Sequence, residues 1–264
     1  MDLELVDKHA VITGSTAGIG FAIAEALAKE GASVVVNGRT EQRVQEAINK
    51  LRGTGVRGKL DGIAADVGTA EGTDKLIHRF PDADILVSNA GIFEVKPFDQ
   101  IDDDDWKRFF EVNVLSGVRL SRHYLPRMIK RNWGRVVFIS SESALQIPAE
   151  MIHYGMTKTA QLAVSRGLAE TTAGTNVTVN SVLPGPTASE GVERFVHELA
   201  AEKKTDAADV ESEFFRTMRS TSLLKRFAEP AEVAAMVAFV CSPLSSATNG
   251  AALRVDGGVV RSIV

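Results

Sequence analysis

The sequence predicts a doubly wound parallel α/β sheet, and three observations predict it. Short apolar runs rich in Val and Ile alternate with helix-patterned segments along the whole chain. Three glycines follow the first such run and open the first helix. No internal repeat, low-complexity tract or linker breaks the alternation. Strands covered on both faces read as near-continuous apolar runs, and consecutive parallel strands need a crossover that a helix supplies. Right-handed crossovers place those helices on both faces of the sheet. About seven strands are expected, in a single domain spanning residues 1–264.

Ala10-Val11-Ile12-Thr13 reads as the first strand, and residues 21–27 after the glycine-rich turn read as a helix that Gly31 stops. Residues 33–36 are the second strand, 41–51 a polar amphipathic helix, and 62–66 the third strand. A helix over 69–79 leads to a fourth strand at 84–87. A long helix is expected over about 104–131, its start carrying Asp102-Asp103-Asp104-Asp105, where acids suit the positive end of the helix dipole. The pattern continues with a strand at 135–139, a helix at about 155–172, a strand at 176–182, a helix at 230–241 and a last strand near 252–255. Residues 188–228 depart from it, being polar, helical and strandless. An insertion after the sixth strand lies at the C-terminal edge of the sheet, where open α/β sheets bind ligands. It is therefore expected to be a substrate lid and not a second domain.

Composition narrows the function. The chain has 264 residues, 44% hydrophobic and 24% charged, with a formal net charge of −4, so nothing in its overall balance favours nucleic acid or an anionic membrane surface. One cysteine, Cys241, excludes an internal disulfide and a thiolate metal cluster. Five scattered histidines do not supply an HExxH-type site, so no metal is expected. No apolar run approaches the roughly 20 residues of a membrane helix. The acidic, mixed stretch Met1 to Lys8 is unlike a secretory signal, and a cytoplasmic location is expected.

Thr13-Gly14-Ser15-Thr16-Ala17-Gly18-Ile19-Gly20 places glycines at GxxxGxG spacing between a strand and a helix. Such glycines permit a tight turn and close backbone approach to a pyrophosphate, which the helix N-terminus stabilises. The segment resembles the TGxxxGxG signature of the short-chain dehydrogenase/reductase family. Asn89-Ala90-Gly91, Tyr154-Gly155-Met156-Thr157-Lys158 as YxxxK, Ser141 thirteen residues before Tyr154, Asn113, Pro184-Gly185 and Asp256-Gly257-Gly258 resemble that family's further motifs in order. The resemblance covers residues 8–258. It implies a Rossmann-like fold and cofactor contacts at Gly14, Ser15, Thr16, Gly18, Ile19 and Gly20. It also implies an adenine contact at Asp66-Val67, where a helix-initiating acid is the alternative, and contacts at Asn89, Ala90, Gly91, Pro184 and Gly185. The nicotinamide-amide contact falls on Thr187 or Ser189, with Thr187 preferred. A homotetramer or homodimer packed through helices 104–131 and 155–172 and the last strand is implied as well.

Catalysis can be read from the chemistry of three residues. Tyr154 and Lys158, four apart on a helix, share a face. A phenol with a pKa of about 10 is a poor base near neutrality, and a nearby cation favours its ionised form. That pair suits proton exchange with a carbonyl or alcohol oxygen. Ser141, with Ser140 as its rival, can donate a hydrogen bond to that oxygen as charge develops. The resemblance adds that Lys158 holds the nicotinamide ribose and that Asn113 supports a water-linked proton relay from Lys158. Glu150 and His153 flank Tyr154 and either reach substrate or lie on the surface.

The cofactor reading rests on Asn37-Gly38-Arg39-Thr40. Gly38 stands where an acid would bind a ribose 2′-hydroxyl, and Arg39 beside it can bind a 2′-phosphate. NADP is expected, with NAD the alternative. The expected activity is hydride exchange with a small-molecule carbonyl or secondary alcohol, a 3-oxoacyl thioester included. The rival is a cofactor-binding regulatory or scaffold protein without turnover. Its signature would be loss of Ser141, Tyr154 or Lys158, and all three are present.

Overall fold

A computed structural model describes residues 1–203 and 205–263, without the side chains of residues 193–195, 198 and 203. Phe195 and the Lys203-Lys204 pair therefore lie outside the described side chains. Among the described residues, seven strands form one sheet in the order β3-β2-β1-β4-β5-β6-β7, every neighbouring pair parallel. They are β1 (His9–Ile12), β2 (Ser33–Gly38), β3 (Leu60–Ala64), β4 (Ile85–Ser88), β5 (Gly134–Ile139), β6 (Val177–Pro184) and β7 (Ala252–Val255). Strand order reverses between β1 and β4, which opens a crevice there. Because all strands run the same way, the loops that leave them lie along one edge. The protein is a doubly wound α/β fold, as its apolar alternation predicts.

Side chains alternate across the sheet and build two cores. Ala10, Ile12, Ile85, Val87, Val137 and Ile139 face α1 (Gly18–Lys29), α2 (Glu41–Arg52) and α9 (Pro230–Cys241). Val11, Leu86, Val136, Phe138 and Val179 face α3 (Ala70–Arg79) and α5 (Ser116–Arg131), meeting Leu76, Leu120, Tyr124 and Met128. Local chemistry sets the helix starts. Thr40 caps α2 by accepting from Arg43 N, Asp102 caps α4 (Asp103–Phe110) by accepting from Asp105 N, and Glu229 with Glu232 forms a capping box around Pro230.

Three boundaries differ from the sequence reading. The third strand begins at Leu60, earlier than expected, because β2 pairs it from Val34↔Leu60 to Gly38↔Ala64. The long helix is α4, a π-helical turn at Glu111–Leu115, then α5. A π turn inserts a residue and re-aims the side chains in it, and Asn113 is one of them. Helix α6 runs Ile152–Glu170, so Tyr154 lies in its first turn and not before it.

The insertion after β6 begins and ends at one point. Thr187 and Ala228 form an isolated parallel bridge, with Ala188 N donating to Ala228 O and Ala228 N to Pro186 O, both at 2.8 Å. Between them lie α7 (Glu190–Lys203) and α8 (Ala207–Thr217), which share a small apolar cluster of Val196, Ala200 and Val210. Phe214, Phe215 and Phe227 stack with centroids 5.1–5.3 Å apart. No helix among the described residues is long and apolar enough to cross a membrane.

Candidate active site

The glycine loop after β1 is tied to the end of β4. Thr13 Oγ1 accepts from Asn89 N and Ala90 N at 2.9 Å, and Asn89 Nδ2 donates to Thr13 O at 2.9 Å and Gly14 O at 3.0 Å. Gly14 has φ +61°, the left-handed region that glycine takes without strain. At Gly20 the restriction is space: a Cβ there would lie 2.4 Å from both Asn89 Nδ2 and Gly14 O. Ala17, the N-cap of α1, offers no side-chain cap, and the first turn carries no acid. The leading N–H groups of α1 and an uncrowded backbone form a cradle that a dinucleotide pyrophosphate fits.

Ser15 does not face that cradle. It is fully buried, its Oγ donating to Ile12 O at 2.7 Å and accepting from Asn37 N at 2.9 Å, while its own N donates to Asn37 O. That corrects the expectation of a direct cofactor contact at Ser15: it fastens the loop to β2 from beneath. Asn37 is the residue that sequence reasoning missed here. Its Oδ1 accepts from Gly14 N, and its Nδ2 donates to Ile63 O and Ala65 O, joining three strand ends. A polar amide closing an apolar strand was the available signal. Beside it, Gly38 makes room for Thr16, whose Cγ2 would lie 2.5 Å from a Cβ at position 38. Arg39 is exposed at the same edge. Asp66 Oδ1 accepts from Gly68 N at 3.0 Å in the turn toward α3, and Val67 is buried next to it.

Tyr154, Lys158 and Ser141 come together at the ends of β5 and α6. Lys158 is 4% exposed, its Nζ donating to Ile139 O at 3.0 Å and Gln161 Oε1 at 3.3 Å and standing 5.5 Å from the Tyr154 ring centroid. Burial lowers the Lys158 pKa to about 8. Tyr154 moves the other way. Burial first and the Glu142 charge second push its hydroxyl above the ordinary phenol value, with Ser141 and Arg219 opposing them. The expected lowering of Tyr154 by the neighbouring cation is thus overridden by desolvation. Ser140 spends its hydroxyl on Lys158 O at 2.9 Å, whereas Ser141 Oγ donates to Glu142 Oε2 at 2.5 Å.

Asn113 is held by both its side chain and its main chain. Its Oδ1 accepts from Ile92 N, and its Nδ2 donates to Ile92 O and Thr157 Oγ1. Its main-chain carbonyl accepts from Gln161 Nε2 at 2.6 Å, so the connection from Lys158 to Asn113 runs through the Gln161 side chain. Gln161, at 1% exposure, had no motif to announce it.

Pro184 and Gly185 close the far side. Gly185 N donates to Val255 O, and a Cβ at 185 would lie 2.6 Å from Asp256 O. Thr187 turns its hydroxyl back to Gly185 O at 2.9 Å, while Ser189 Cβ would lie 3.2 Å from a Cβ at Gly18. Together these elements line one cavity of about 260 Å³ that reaches from Ile19, Asn89 and Gly91 to Ser141, Tyr154 and Lys158. Val192, Phe214, Met218, Arg219 and Phe227 of the insertion line it as well. Of the other apolar residues there, Leu199 packs within the insertion, Phe215 is buried, and Leu223 is 83% exposed. His153 neither reaches the cavity nor lies on the surface: it is fully buried, its ring 4.0 Å from that of Phe109. Among the described residues no cluster of His, Cys, Asp and Glu could hold a metal ion.

Comparison with known proteins adds to this geometry. A family model described as short chain dehydrogenase matches residues 8–200. The chain is 51% identical over 263 residues to the uncharacterized oxidoreductase YvaG of Bacillus subtilis, with 100% of each chain covered. It is 33% identical to the 3-oxoacyl-acyl-carrier-protein reductase FabG of Aquifex aeolicus, over 98% of this chain and 100% of that one. The crystal structure of L-sorbose reductase from Gluconobacter frateurii, complexed with NADPH and L-sorbose, superposes with a TM-score of 0.93 at 33% identity, covering 100% of both chains.

Proposed function

The chain belongs to the short-chain dehydrogenase/reductase family, and from that premise we propose that it is an NADP-dependent carbonyl reductase with Tyr154 as proton donor. The observation that carries this reading is a single cavity with Ile19 of the glycine-rich turn, Asn89 and Gly91 at one end and Ser141, Tyr154 and Lys158 at the other. Beside it the α1 N-terminus and the loop at Gly14, Thr16, Gly18, Ile19 and Gly20 would hold the pyrophosphate. Asp66 and Val67 would hold the adenine, and Asn89, Ala90 and Gly91 the adjoining stretch. Lys158 would take the nicotinamide ribose, and Pro184, Gly185 and Thr187 the carboxamide. NADPH bound there supplies a hydride to the carbonyl carbon.

The chain's own groups manage the proton. Tyr154, held protonated at neutral pH by burial and by Glu142, gives its hydroxyl proton to the carbonyl oxygen. Lys158 stabilises the phenolate left behind, and Ser141 donates to the oxygen as charge builds. A phenol raised in pKa stays protonated at working pH, the state that proton donation to a carbonyl requires. Residues 188–228, entering and leaving through the Thr187–Ala228 bridge, act as a lid over the cavity within one domain. Two relatives of equal identity carry different substrate names, so likeness alone does not choose between a sugar ketone and a 3-oxoacyl thioester.

Two outcomes test this reading. NADPH should exceed NADH in kcat/KM by roughly 10- to 100-fold, the worth of a charge-assisted hydrogen bond to phosphate, and Arg39→Gln should remove most of that ratio. A wild-type preference for NADH overturns the assignment of Arg39. The second outcome is a pH limb. Lys158 is charged below about 8 and neutral above it, so reduction should slow as pH rises through that value. A kcat/KM profile flat from pH 7 to 10 contradicts the role given to Lys158.

A further inference from the structure

Glu142 is enclosed beside Ser141, and no step of the proposed reaction brings it into contact with the substrate. It is 4% exposed, its Oε2 accepting the Ser141 hydroxyl at 2.5 Å and its Oε1 accepting Arg219 Nε at 3.1 Å. Arg219, 7% exposed, follows α8 in the insertion and donates from Nη1 to Glu150 Oε1 at 3.2 Å. A carboxylate so enclosed is tolerated because its oxygens are met by donors. The Ser141 hydroxyl carries one proton. Directed at Glu142, that proton is withheld from a substrate carbonyl. Turned to the carbonyl oxygen, it leaves Glu142 Oε2 without its donor in a place where the loss is costly.

We propose that Glu142 is the specificity-determining group for a hydroxyl on the carbon next to the reactive carbonyl, so that the enzyme's preferred substrates are α-hydroxy ketones. This rests on the carbonyl-reductase reading. Such a substrate completes an exchange of donors: Ser141 turns its proton to the carbonyl oxygen, and the substrate hydroxyl takes the vacated place on Glu142 Oε2. The carbonyl and hydroxyl oxygens stand on adjacent carbons, just as Ser141 and Glu142 are adjacent residues facing one cavity. A simple ketone leaves the carboxylate oxygen unmet. An α-diketone turns a second acceptor toward it, and a thioester likewise brings no donor. Phe93, Met151, Phe214, Met218 and Phe227 make the remaining wall apolar, which fits an alkyl or aryl group on the other side of the carbonyl.

Matched ketones test this with NADPH and the intact enzyme: 2-hydroxyacetophenone, propiophenone, which has methyl in place of the hydroxyl, and 1-phenyl-1,2-propanedione. The hydroxy ketone should lead each of the others by about 100-fold in kcat/KM, because a site built around a substrate hydroxyl discriminates strongly against analogues that lack it. Glu142→Met should bring the hydroxy-to-methyl ratio to within about threefold, whatever it does to absolute rates, since a merely structural role would slow both ketones alike. If that variant does not fold, Glu142→Gln, nearly isosteric and uncharged, should lower the ratio at least tenfold. Equal kcat/KM for the hydroxy and methyl ketones, or a lead for the diketone, overturns this inference and leaves the reductase reading standing. Oxidation of NADPH with none of the three, in enzyme that binds NADPH, removes both.

Discussion

Tyr154→Phe should lower kcat for carbonyl reduction by about 10³-fold while NADPH affinity stays within roughly a factor of two of wild type. The substitution removes one oxygen and little else. The ring keeps its edge-on contact with Phe93 at 6.4 Å, and Lys158 Nζ keeps its place over the face at 5.5 Å. Lys158 also keeps its bonds to Ile139 O and Gln161 Oε1, so the wall assigned to the cofactor is preserved. What disappears is the proton donor, and Ser141 is no substitute while its hydroxyl is shared with Glu142. Fluorescence titration with NADPH and steady-state rates on the preferred ketone separate the two effects. Turnover within tenfold of wild type would sink the assignment of Tyr154. Lost NADPH binding would show instead that the phenol oxygen is part of the cofactor's seat.

Gly20→Ala should weaken NADPH binding by at least about 100-fold and destabilise the fold by about 1–3 kcal/mol, lowering Tm by roughly 3–10 °C. Its Cβ would lie 2.4 Å from Gly14 O, a backbone atom, and equally close to Asn89 Nδ2. Relief requires the loop to open or the Asn89 amide to leave Thr13 O and Gly14 O, and either change undoes the tie between β1 and β4. Gly167→Ala on α6 is the contrast, because a Cβ there meets nothing within 4 Å. It should bind NADPH normally and gain up to about 1 kcal/mol from helix propensity. Calorimetric melting and NADPH titration of both variants check this. Normal binding by Gly20→Ala would show that the cradle has slack the static geometry denies.

Much of this molecule is legible one segment at a time. Apolar runs such as Val34-Val35-Val36 and Val136-Val137-Phe138 announce buried parallel strands because nothing polar could be satisfied on either face. The glycine spacing from Gly14 to Gly20 is legible because a missing side chain has a local consequence. Tyr154 and Lys158 can be paired from sequence because helix periodicity alone puts them on one face. Less legible were the π turn that re-aims Asn113, the start of β3 and the burial of His153. Each depends on what packs against the segment: the Ile92 loop for Asn113, the β2 register for Leu60, and Phe109 for His153.

The sequence by itself determined the parallel sheet, the order of its motifs and the family to which the chain belongs, because these follow from periodicity and spacing along the backbone. Only the tertiary structure decided which polar group meets which. Ser15 went beneath the loop to Asn37, Gln161 came between Lys158 and Asn113, and Arg219 crossed 77 residues to reach Glu142 beside Ser141. In a buried site the nearest partner dominates the energy of every charge and hydroxyl. Those partners arrive from distant segments, so no local pattern records them. The same burial raises Tyr154 where a neighbouring cation alone would have lowered it. It also turns Glu142, one acid among many in the sequence, into the group on which the choice of substrate is proposed to rest.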